Sequence, residues 1–437
     1  MSEAILWWIW LQLFAFVSLP LCGLAFRSLP DRGYGLSKAF GWLLTAWLAW
    51  MLSSLPLGPS AAAQGSMALL SVGICSTASL FLRRGGYLRA WTLYFKERVR
   101  YMLAIETLFL LAFSSMVGLR GFVPEIEATE KPMELMYLQA ALLSSSSPPP
   151  DLWLAGYPLN YYYFGFYANA FLARLSGVAP GVAFNLSLAG VWATGAVALA
   201  SLGYNAVAAQ TQSGRARFTG ALATPLLVLL VSNPAGTLAT ALRSGELPAF
   251  FGLFWKATRV VYDDIPGRAG PQETINEFPA ASFLLGDLHP HVMSIPLLAL
   301  GLGATLALAL HARRPRRQLL MGALLTGGIG GLLYMTNSWD LPLLLGLAVT
   351  SVACGAYGTT LGRMRAALMT VPFFLASLLL VAMPFILHFE APLSAGAPLP
   401  PYVSSMPVLS LFGKYIGVVW WDHTGAGEFA RMWGVHL

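Results

Sequence analysis

The sequence predicts an all-α polytopic membrane protein with about 10–11 transmembrane helices, long outer loops and a short interfacial helix. Two observations predict this class: 57% of the 437 residues are hydrophobic, and only 10% are charged. Ordinary soluble domains carry about 25% charged residues. Membrane proteins concentrate positive charge in cytoplasmic loops, so the net charge of +7 does not indicate a nucleic-acid-binding face. We therefore expect membrane lipids, and no nucleic acid, as partners.

Ten stretches approach the length of about 20 mostly apolar residues that a helix needs to cross the hydrocarbon core. In chain order they run near 4–26, 39–57, 65–82, 101–119, 183–208, 219–240, 291–311, 318–336, 340–357 and 366–388. The 219–240 stretch is the weakest because Asn233-Pro234 interrupts it, and proline removes a backbone N–H from a helix. Glu106 lies inside the fourth stretch, where we expect it to pair with Arg100 or a neighbour.

The aromatic segment 161–176 decides the topology. As a helix it would rise only about 24 Å, less than the typical hydrocarbon thickness of about 30 Å. If it crossed, the arginine-rich loops after it would face outward, against the positive-inside rule. We therefore place it in the outer interface. The amino terminus and the acidic loops 120–160 and 241–290 then lie outside.

The first outer loop is the densest acidic part of the sequence. It contains Glu125, Glu127, Glu130, Lys131 and Glu134. In an extended chain Glu125 and Glu127 point to the same side, a spacing that suits a divalent cation or an acid–base pair. The alternative is a solvated acidic loop. The apolar stretch 151–160 that follows favours a loop that folds back onto the membrane.

The second outer loop ends in carboxylate and imidazole groups. Asp287, His289 and His291 alternate along the chain and share one face if it is extended, which suits a metal ion or a phosphate. Glu277 precedes them. These residues could instead cap the start of the next helix, and both alternatives stay open.

Two shorter features also have two interpretations. Asp340 follows a very short turn and either caps the next helix or lines the outer cavity. Tyr161, Tyr162 and Tyr163 either anchor the chain in the interface or stack on a sugar ring.

These residues lie in a set of motifs that resembles the YYY-motif family of bacterial and archaeal multi-pass membrane proteins. The motifs are Pro124 to Glu134, Pro149 to Gly156, Leu159 to Gly165, Glu277 to Pro279, Gly286 to His291 and Asn337 to Asp340. That family is a domain of unknown function similar to the GT-C glycosyltransferases. The motifs cover roughly 120–345, and their joint occurrence is specific.

The resemblance implies a GT-C-like membrane core at 101–388. Three accessory helices and a basic connector, 1–100, would precede the core, and an outer loop with an incomplete further helix, 389–437, would follow it. The resemblance also implies a bacterial or archaeal cell membrane and a lipid-phosphate sugar donor used on the outer face. Glu125 would correspond to the acid that activates the acceptor, although Glu-x-Glu here replaces the Asp-bearing motif of many GT-C members.

We therefore predict a membrane glycosyltransferase that takes a sugar from a polyprenyl-phosphate donor. Glu125, together with Glu127, is the predicted general base on an acceptor hydroxyl. Asp287, His289 and His291 would hold the leaving phosphate, directly or through a divalent metal such as Mg, Mn or Zn. The full substrate-binding set is Glu130, Lys131, Asn160, Tyr161, Tyr162, Tyr163, Glu277, Asp287, His289, His291 and Asp340.

The main alternative is a non-catalytic scaffold or assembly subunit that keeps a GT-C-like architecture. A transporter is disfavoured because the polar groups crowd the outer face instead of the middle of the spans. Geometry distinguishes the enzyme from the scaffold. An enzyme needs an open lateral cavity that brings Glu125 near His289 and His291, whereas a filled space there favours the scaffold.

Overall fold

The computed structural model describes residues 1–55, 58–81, 86–231, 258–259, 262–263, 269–311, 316–355 and 360–390. They divide into two units. The first consists of Met1–Leu226 and Gly286–Leu387, and the second takes the described residues of Leu227–Leu285 and those from His388 onward. The first part of the predicted loop 241–290, the end of the 219–240 span and nearly all of the tail 389–437 lie outside the described residues.

Helices form most of the described chain. In the first unit they are α1 (Ser2–Ala25), α2 (Ser37–Ser53), α3 (Ala61–Phe81), α4 (Gly86–Phe122), α5 (Lys131–Leu143), α6 (Phe164–Ser176), α7 (Pro180–Ala208), α8 (Gly214–Pro225), α10 (Pro290–His311), α11 (Arg316–Thr336), α12 (Leu341–Gly355) and α13 (Thr360–Ile386). A π-helical segment, Leu226–Leu230, follows α8, and a 3₁₀ turn, Ser338–Asp340, precedes α12. The second unit contains α9 (Pro279–Leu285) and a two-residue antiparallel pair of β1 (Tyr262–Asp263) with β2 (Gln272–Glu273).

Proline and glycine set several helix boundaries. Pro180 and Pro290 open α7 and α10, and Pro132 is the second residue of α5. Proline suits these positions because the first N–H groups of a helix have no intrahelical acceptor. Gly177 ends α6 at a φ of +67°, the left-handed conformation that glycine adopts without a steric penalty. These boundaries place polar residues at helix ends.

Eight helices among the described residues are long and apolar enough to cross a membrane. They are Ser2–Ala25, Ala61–Leu80, Tyr94–Phe122, Pro180–Ala208, Pro290–Leu310, Arg316–Thr336, Ser338–Gly355 and Thr360–Ile386. The predicted span 39–57 forms α2, which has 17 residues. The all-α polytopic class is therefore confirmed.

The centre of the first unit is α7. In the most apolar stretch of α7, 83% of the residues are buried, against 17% in the 338–355 span and 28% in α13. Those two helices expose large apolar side chains, among them Leu343 and Leu380. Apolar side chains exposed along such helices suit contact with lipid, while α7 packs within protein.

The short helix α6 has 13 residues and would rise about 20 Å, so it is too short to cross, as the sequence predicted. Within the first unit this helix is enclosed by protein. Side chains from Tyr163 to Ala173 are buried, and α6 packs against α1, α2, α5 and α7. Most residues of α6 are apolar, which favours an enclosed position, and its polar Asn169 and Arg174 donate to backbone carbonyls.

The intramembrane acid Glu106 has a different partner from the one predicted. Its Oε1 lies 2.6 Å from Nζ of Lys38, not beside Arg100, and also accepts from the Tyr34 hydroxyl at 2.9 Å. The Gln12 amide donates to Oε2 at 3.0 Å. The predicted pairing with Arg100 was wrong because Glu106 turns inward, toward α1 and α2, instead of toward the basic connector.

Candidate functional site

Polar side chains gather at one end of the first unit, where α4 ends and α5, α7 and α10 begin. Arg120 lies in the last turn of α4, and Asn185 lies in the second turn of α7. Glu134 lies in the first turn of α5, and His289 directly precedes α10. Helix ends converge here, so residues distant in sequence become neighbours.

Two of these residues, Glu134 and His289, form with Glu130 and Asp287 what we call the carboxylate–histidine cluster. The carboxylate of Glu134 is fully buried. Its Oε1 lies 3.1 Å from Nδ1 of His289, and its Oε2 accepts from the backbone N–H of Leu288 at 2.9 Å. Glu130 Oε2 lies 3.1 Å from the same Nδ1. Glu130 and Glu134 reach one ring because residues four apart share one face of a helix.

Asp287 completes the cluster. It is 9% exposed and shares a hydrogen bond with the carboxyl group of Glu134. Burial, together with that hydrogen bond and the negative charge of Glu134, raises the pKa of Asp287 to about 8. One ligand atom each from Glu134, Asp287 and His289 lie within 4.8 Å of one another, which is close enough to hold a metal ion.

The other side of His289 faces aromatic groups. Its Nε2 lies 3.4 Å from the hydroxyl of Tyr161, whose ring stacks on Tyr137 at 4.9 Å. Burial raises the pKa of Tyr161, so its hydroxyl stays protonated. The ring of His291 lies 5.3 Å from that of His289. His289 is thus held between carboxylates on one side and polar rings on the other.

An open pocket of about 580 Å³ lies at the same end of the unit. We call it the Arg120 pocket. The start of α1, the end of α4 and the start of α7 form its walls, with Met1, Glu3, Ala4, Val117, Arg120, Gly121, Pro124, Ile126, Ala179, Gly181, Val182, Asn185 and Leu186 as lining residues. Most of these side chains are apolar, so the pocket suits an apolar ligand with a polar end.

Arg120 is the cation of this pocket and is only 3% exposed. Its Nε donates to Asn185 Oδ1 at 2.7 Å, and its Nη2 donates to the backbone carbonyl of Glu125 at 3.3 Å. No carboxylate of the described residues forms an ion pair with it. The charge of Glu125 acts on Arg120 from a distance longer than that of a salt bridge. A buried guanidinium of this kind favours an anionic ligand, and its planar fork matches phosphate.

Gly286 connects the pocket to the cluster. It adopts a φ of +75°, and a Cβ built there would strike the guanidinium group of Arg120. The absence of a side chain lets Arg120 lie against the backbone directly before Asp287. Arg120 therefore contacts Gly286, the residue next to Asp287 of the carboxylate–histidine cluster.

The predicted catalytic acids remain on the surface. Glu125 and Glu127 are exposed on the connector between α4 and α5, and Glu125 is held near Arg120 through its backbone carbonyl. Lys131 is half-buried and lies close enough to Arg120, Asp287 and Glu134 to interact with their charges. Burial and then the charge of Arg120 lower its pKa.

The remaining predicted residues have varied environments. Asn160 is exposed at the end of the 149–159 loop. The hydroxyl of Tyr162 accepts from Ser338, and that of Tyr163 accepts from the indole of Trp50. Tyr163 is 3% exposed, so it packs inside the unit.

The two remaining predicted acids are Glu277 and Asp340. Glu277 is exposed in the second unit, just before α9. Asp340 accepts from the side-chain amide of Asn337 at 3.1 Å and lies within hydrogen-bonding range of Ser294. Its carboxylate therefore connects the 337–340 turn to α10.

Three residues at the candidate site were not predicted from the sequence to be functional: Arg120, Glu134 and Asn185. In the sequence, Glu134 is one of several neighbouring acids, and nothing next to Arg120 marks it as part of a site. The four-residue spacing of Glu130 and Glu134 was a usable signal, because it puts both on one face of a helix. Asn185 had no local signal, since its partners come from α4 and the following loop.

The comparisons with known proteins give one family and no individual relative. Searches of curated proteins and of solved structures found no match. A sequence profile described as an uncharacterized membrane protein (DUF2298) matches residues 44–435, which is most of the chain and includes every residue of the cluster. The chain therefore belongs to the DUF2298 family of uncharacterized membrane proteins.

Proposed function

We propose that this protein is a membrane transferase that moves a sugar from a polyprenyl-phosphate donor to an acceptor hydroxyl on the outer face of a cell membrane. The observation that carries the proposal is Arg120, a buried cation with no ion-pair partner among the described carboxylates. It lies between an apolar pocket and the carboxylate–histidine cluster. A lipid-linked phosphate has the matching chemistry, an apolar chain that ends in an anion.

The Arg120 pocket supports the lipid half of this donor. Its walls are formed by α1, α4 and α7, which are candidate membrane spans. Val117, Val182 and Leu186 supply apolar surface at about 25 cal/mol per Å² buried, while Arg120 would bind the phosphate. The pocket is open, and Glu125, His289 and His291 are not among its lining residues.

The transfer step then needs a base and charge neutralisation. Glu125 takes the proton of the acceptor hydroxyl as the acceptor oxygen bonds to the anomeric carbon. The bond between that carbon and the phosphate oxygen breaks, and its electron pair stays on the phosphate. Arg120 and Lys131 neutralise the charge that develops there. Displacement from the face opposite the phosphate inverts the anomeric configuration.

The test measures donor binding and sugar transfer separately, with purified protein in liposomes that contain polyprenyl-phosphate sugars. We expect Arg120→Gln to weaken polyprenyl-phosphate binding by at least about tenfold, because a charge-assisted hydrogen bond is lost. Glu125→Gln should retain binding but lower turnover by about 10²–10⁴-fold. Glu97→Gln, an exposed acid near the other end of α4, is the matched control and should change neither.

Two results would contradict the proposal. Undiminished turnover in Glu125→Gln removes the assigned base. If folded wild-type protein neither binds polyprenyl phosphate nor transfers sugar, the transferase proposal is wrong and the non-catalytic scaffold is favoured.

A further inference from the structure

We propose that Glu130, Glu134, Asp287 and His289 bind a divalent transition-metal ion. The ligands come from two segments far apart in sequence, the N-cap and first turn of α5 and the segment directly before α10. All four residues belong to the first unit. This proposal does not depend on the transferase proposal, because the metal alone is the probe that tests it.

The first step of the argument is convergence. Ligand atoms of Glu134, Asp287 and His289 lie within 4.8 Å of one another, and Glu130 Oε2 lies 3.1 Å from the same histidine nitrogen. Glu134 is fully buried and Asp287 is 9% exposed, so water alone does not solvate these oxygens. Metal sites in proteins have this character: several donor atoms point at one enclosed position.

The second step is the excess of acceptors. Nδ1 of His289 carries at most one proton, yet carboxylate oxygens of Glu130 and Glu134 both lie 3.1 Å from it. Asp287 brings a third carboxyl group to the same place. Buried carboxylates cost several kcal/mol of desolvation unless they are compensated. Here three carboxyl groups share one imidazole, the N–H of Leu288 and the charge of Lys131. A dication satisfies all of them together.

The third step is orientation. The backbone N–H of Leu288 donates to Glu134 Oε2 at 2.9 Å, which leaves Oε1 directed at the common point. Hydrogen bonds of this kind hold metal-binding carboxylates in place. Glu130 is 59% exposed on its side chain, so ions have a route from solvent. The site is thus fixed on its buried side and open on the other.

The donor set also selects the class of metal. One imidazole nitrogen with carboxylate oxygens and no thiolate suits Mn²⁺ or Zn²⁺, whereas Mg²⁺ and Ca²⁺ prefer oxygen ligands alone. The described cysteines lie on other elements: Cys22 on α1, Cys75 on α3 and Cys354 on α12. We therefore infer Mn²⁺ or Zn²⁺.

Lys131 is the competing source of positive charge, because it interacts electrostatically with Glu134 and Asp287. If its charge were sufficient for the cluster, the protein would bind no metal there. The experiment separates the two cases. Purified full-length protein in detergent is stripped with a chelator and titrated with Mn²⁺, followed by the loss of the free-ion EPR signal, and then with Zn²⁺ in competition.

We expect saturable binding at one site per chain, with Zn²⁺ displacing Mn²⁺. Pulsed EPR of bound Mn²⁺ should show coupling to one histidine nitrogen. Asp287→Asn should weaken binding by at least about tenfold, since even changes outside the ligand shell cost that much. In His289→Gln the nitrogen coupling should disappear. Glu97→Gln is the control and should bind like wild type.

Folding is checked by size-exclusion profile and melting temperature for every variant. Glu134→Gln changes a fully buried group, whereas the side chain of His289 is 26% exposed and should tolerate substitution best. His289→Gln therefore keeps the test decisive if the buried variants do not fold. Absence of saturable Mn²⁺ and Zn²⁺ binding by wild type would overturn the proposal, as would binding without nitrogen coupling that Asp287→Asn leaves unchanged.

Discussion

Gly286 is the residue on which the contact between Arg120 and the cluster depends. Its φ is +75°, and an added Cβ would meet the guanidinium group of Arg120. We expect Gly286→Ala to lower the free energy of unfolding by more than about 1 kcal/mol, because left-handed backbone alone costs roughly that much for other residues. Thermal unfolding in detergent measures this effect.

Two other glycines serve as controls that distinguish backbone strain from the steric clash with Arg120. Gly156 has a φ of +90° with nothing near its Cβ position, so Gly156→Ala tests backbone strain alone. Gly346 lies in α12, also with open space around it, and alanine there should be neutral or stabilising by up to about 1 kcal/mol. Equal effects at Gly286 and Gly156 would show that the contact with Arg120 contributes nothing.

Glu125 and Glu134 show how little sequence proximity says about environment. Both belong to one acidic stretch, but Glu125 is exposed on the connector and Glu134 is fully buried. The difference arises because α5 begins at Lys131 and turns one face toward α6 and α7. Glu134 is buried there and contacts Leu288, His289 and Asp287.

At the scale of elements, the pair of Lys38 and Glu106 ties α2 to α4. Lys38 is 2% exposed, and its Nζ lies 2.6 Å from Glu106 Oε1. We expect Glu106→Gln to destabilise the protein by about 3–5 kcal/mol, because it leaves a buried ammonium without its counter-charge. Thermal unfolding in detergent is the measurement.

The matched control removes both charges. Lys38→Met combined with Glu106→Gln should recover most of the lost stability, since no uncompensated charge remains. A double variant as unstable as Glu106→Gln alone would show that the hydrogen bonds from Gln12 and Tyr34, not the ion pair, hold these helices together.

A second network ties the connector between α1 and α2 to α4 and α7. Asp31 is fully buried, and its carboxylate accepts from Tyr101 at 2.7 Å, Ser201 at 2.6 Å and Asn205 at 2.7 Å. The backbone N–H of Gly33 donates to it as well, at 2.8 Å. A buried carboxylate with this many donors is well compensated. This network fixes the end of α7 opposite the candidate site.

At the scale of the whole first unit, two polar layers lie near the two ends of α7. Asn185 belongs to the Arg120 pocket, and Asn205 belongs to the Asp31 network. Twenty residues of helix separate them, which corresponds to about 30 Å. This distance equals the thickness of a typical hydrocarbon core. The separation of the two layers therefore matches what a helix needs to place one at each surface of a membrane.

Sidedness can be tested with cysteines placed in two exposed connectors, one before α6 and one after α7. In a background without Cys22, Cys75 and Cys354, we expect an impermeant maleimide to label Ser146→Cys on intact cells. Gln210→Cys should react only after permeabilisation. Both positions are exposed, Ser146 between α5 and α6 and Gln210 after α7. The reverse pattern would place the candidate site inside the cell and contradict the outward location.

The sequence by itself determined the class of the protein and most of its spans. Charge scarcity and long apolar runs are local properties, so α1, α3, α7, α10, α11 and α13 could be predicted from windows of the sequence. The motifs also led to Asp287, His289 and Glu130, because carboxylates and imidazoles are rare in so apolar a chain.

Only the tertiary structure decided which polar groups meet. Arg120 contacts Asn185 and Gly286, Glu134 contacts His289, and Glu106 contacts Lys38, over separations that no local pattern encodes. The enclosure of α6 is decided in the same way, by helices distant in sequence that surround it. Burial and the choice of partners depend on how the helices pack, and packing is a property of the whole unit. The sequence therefore indicated the segments that carry the site, but not which of their side chains contact one another.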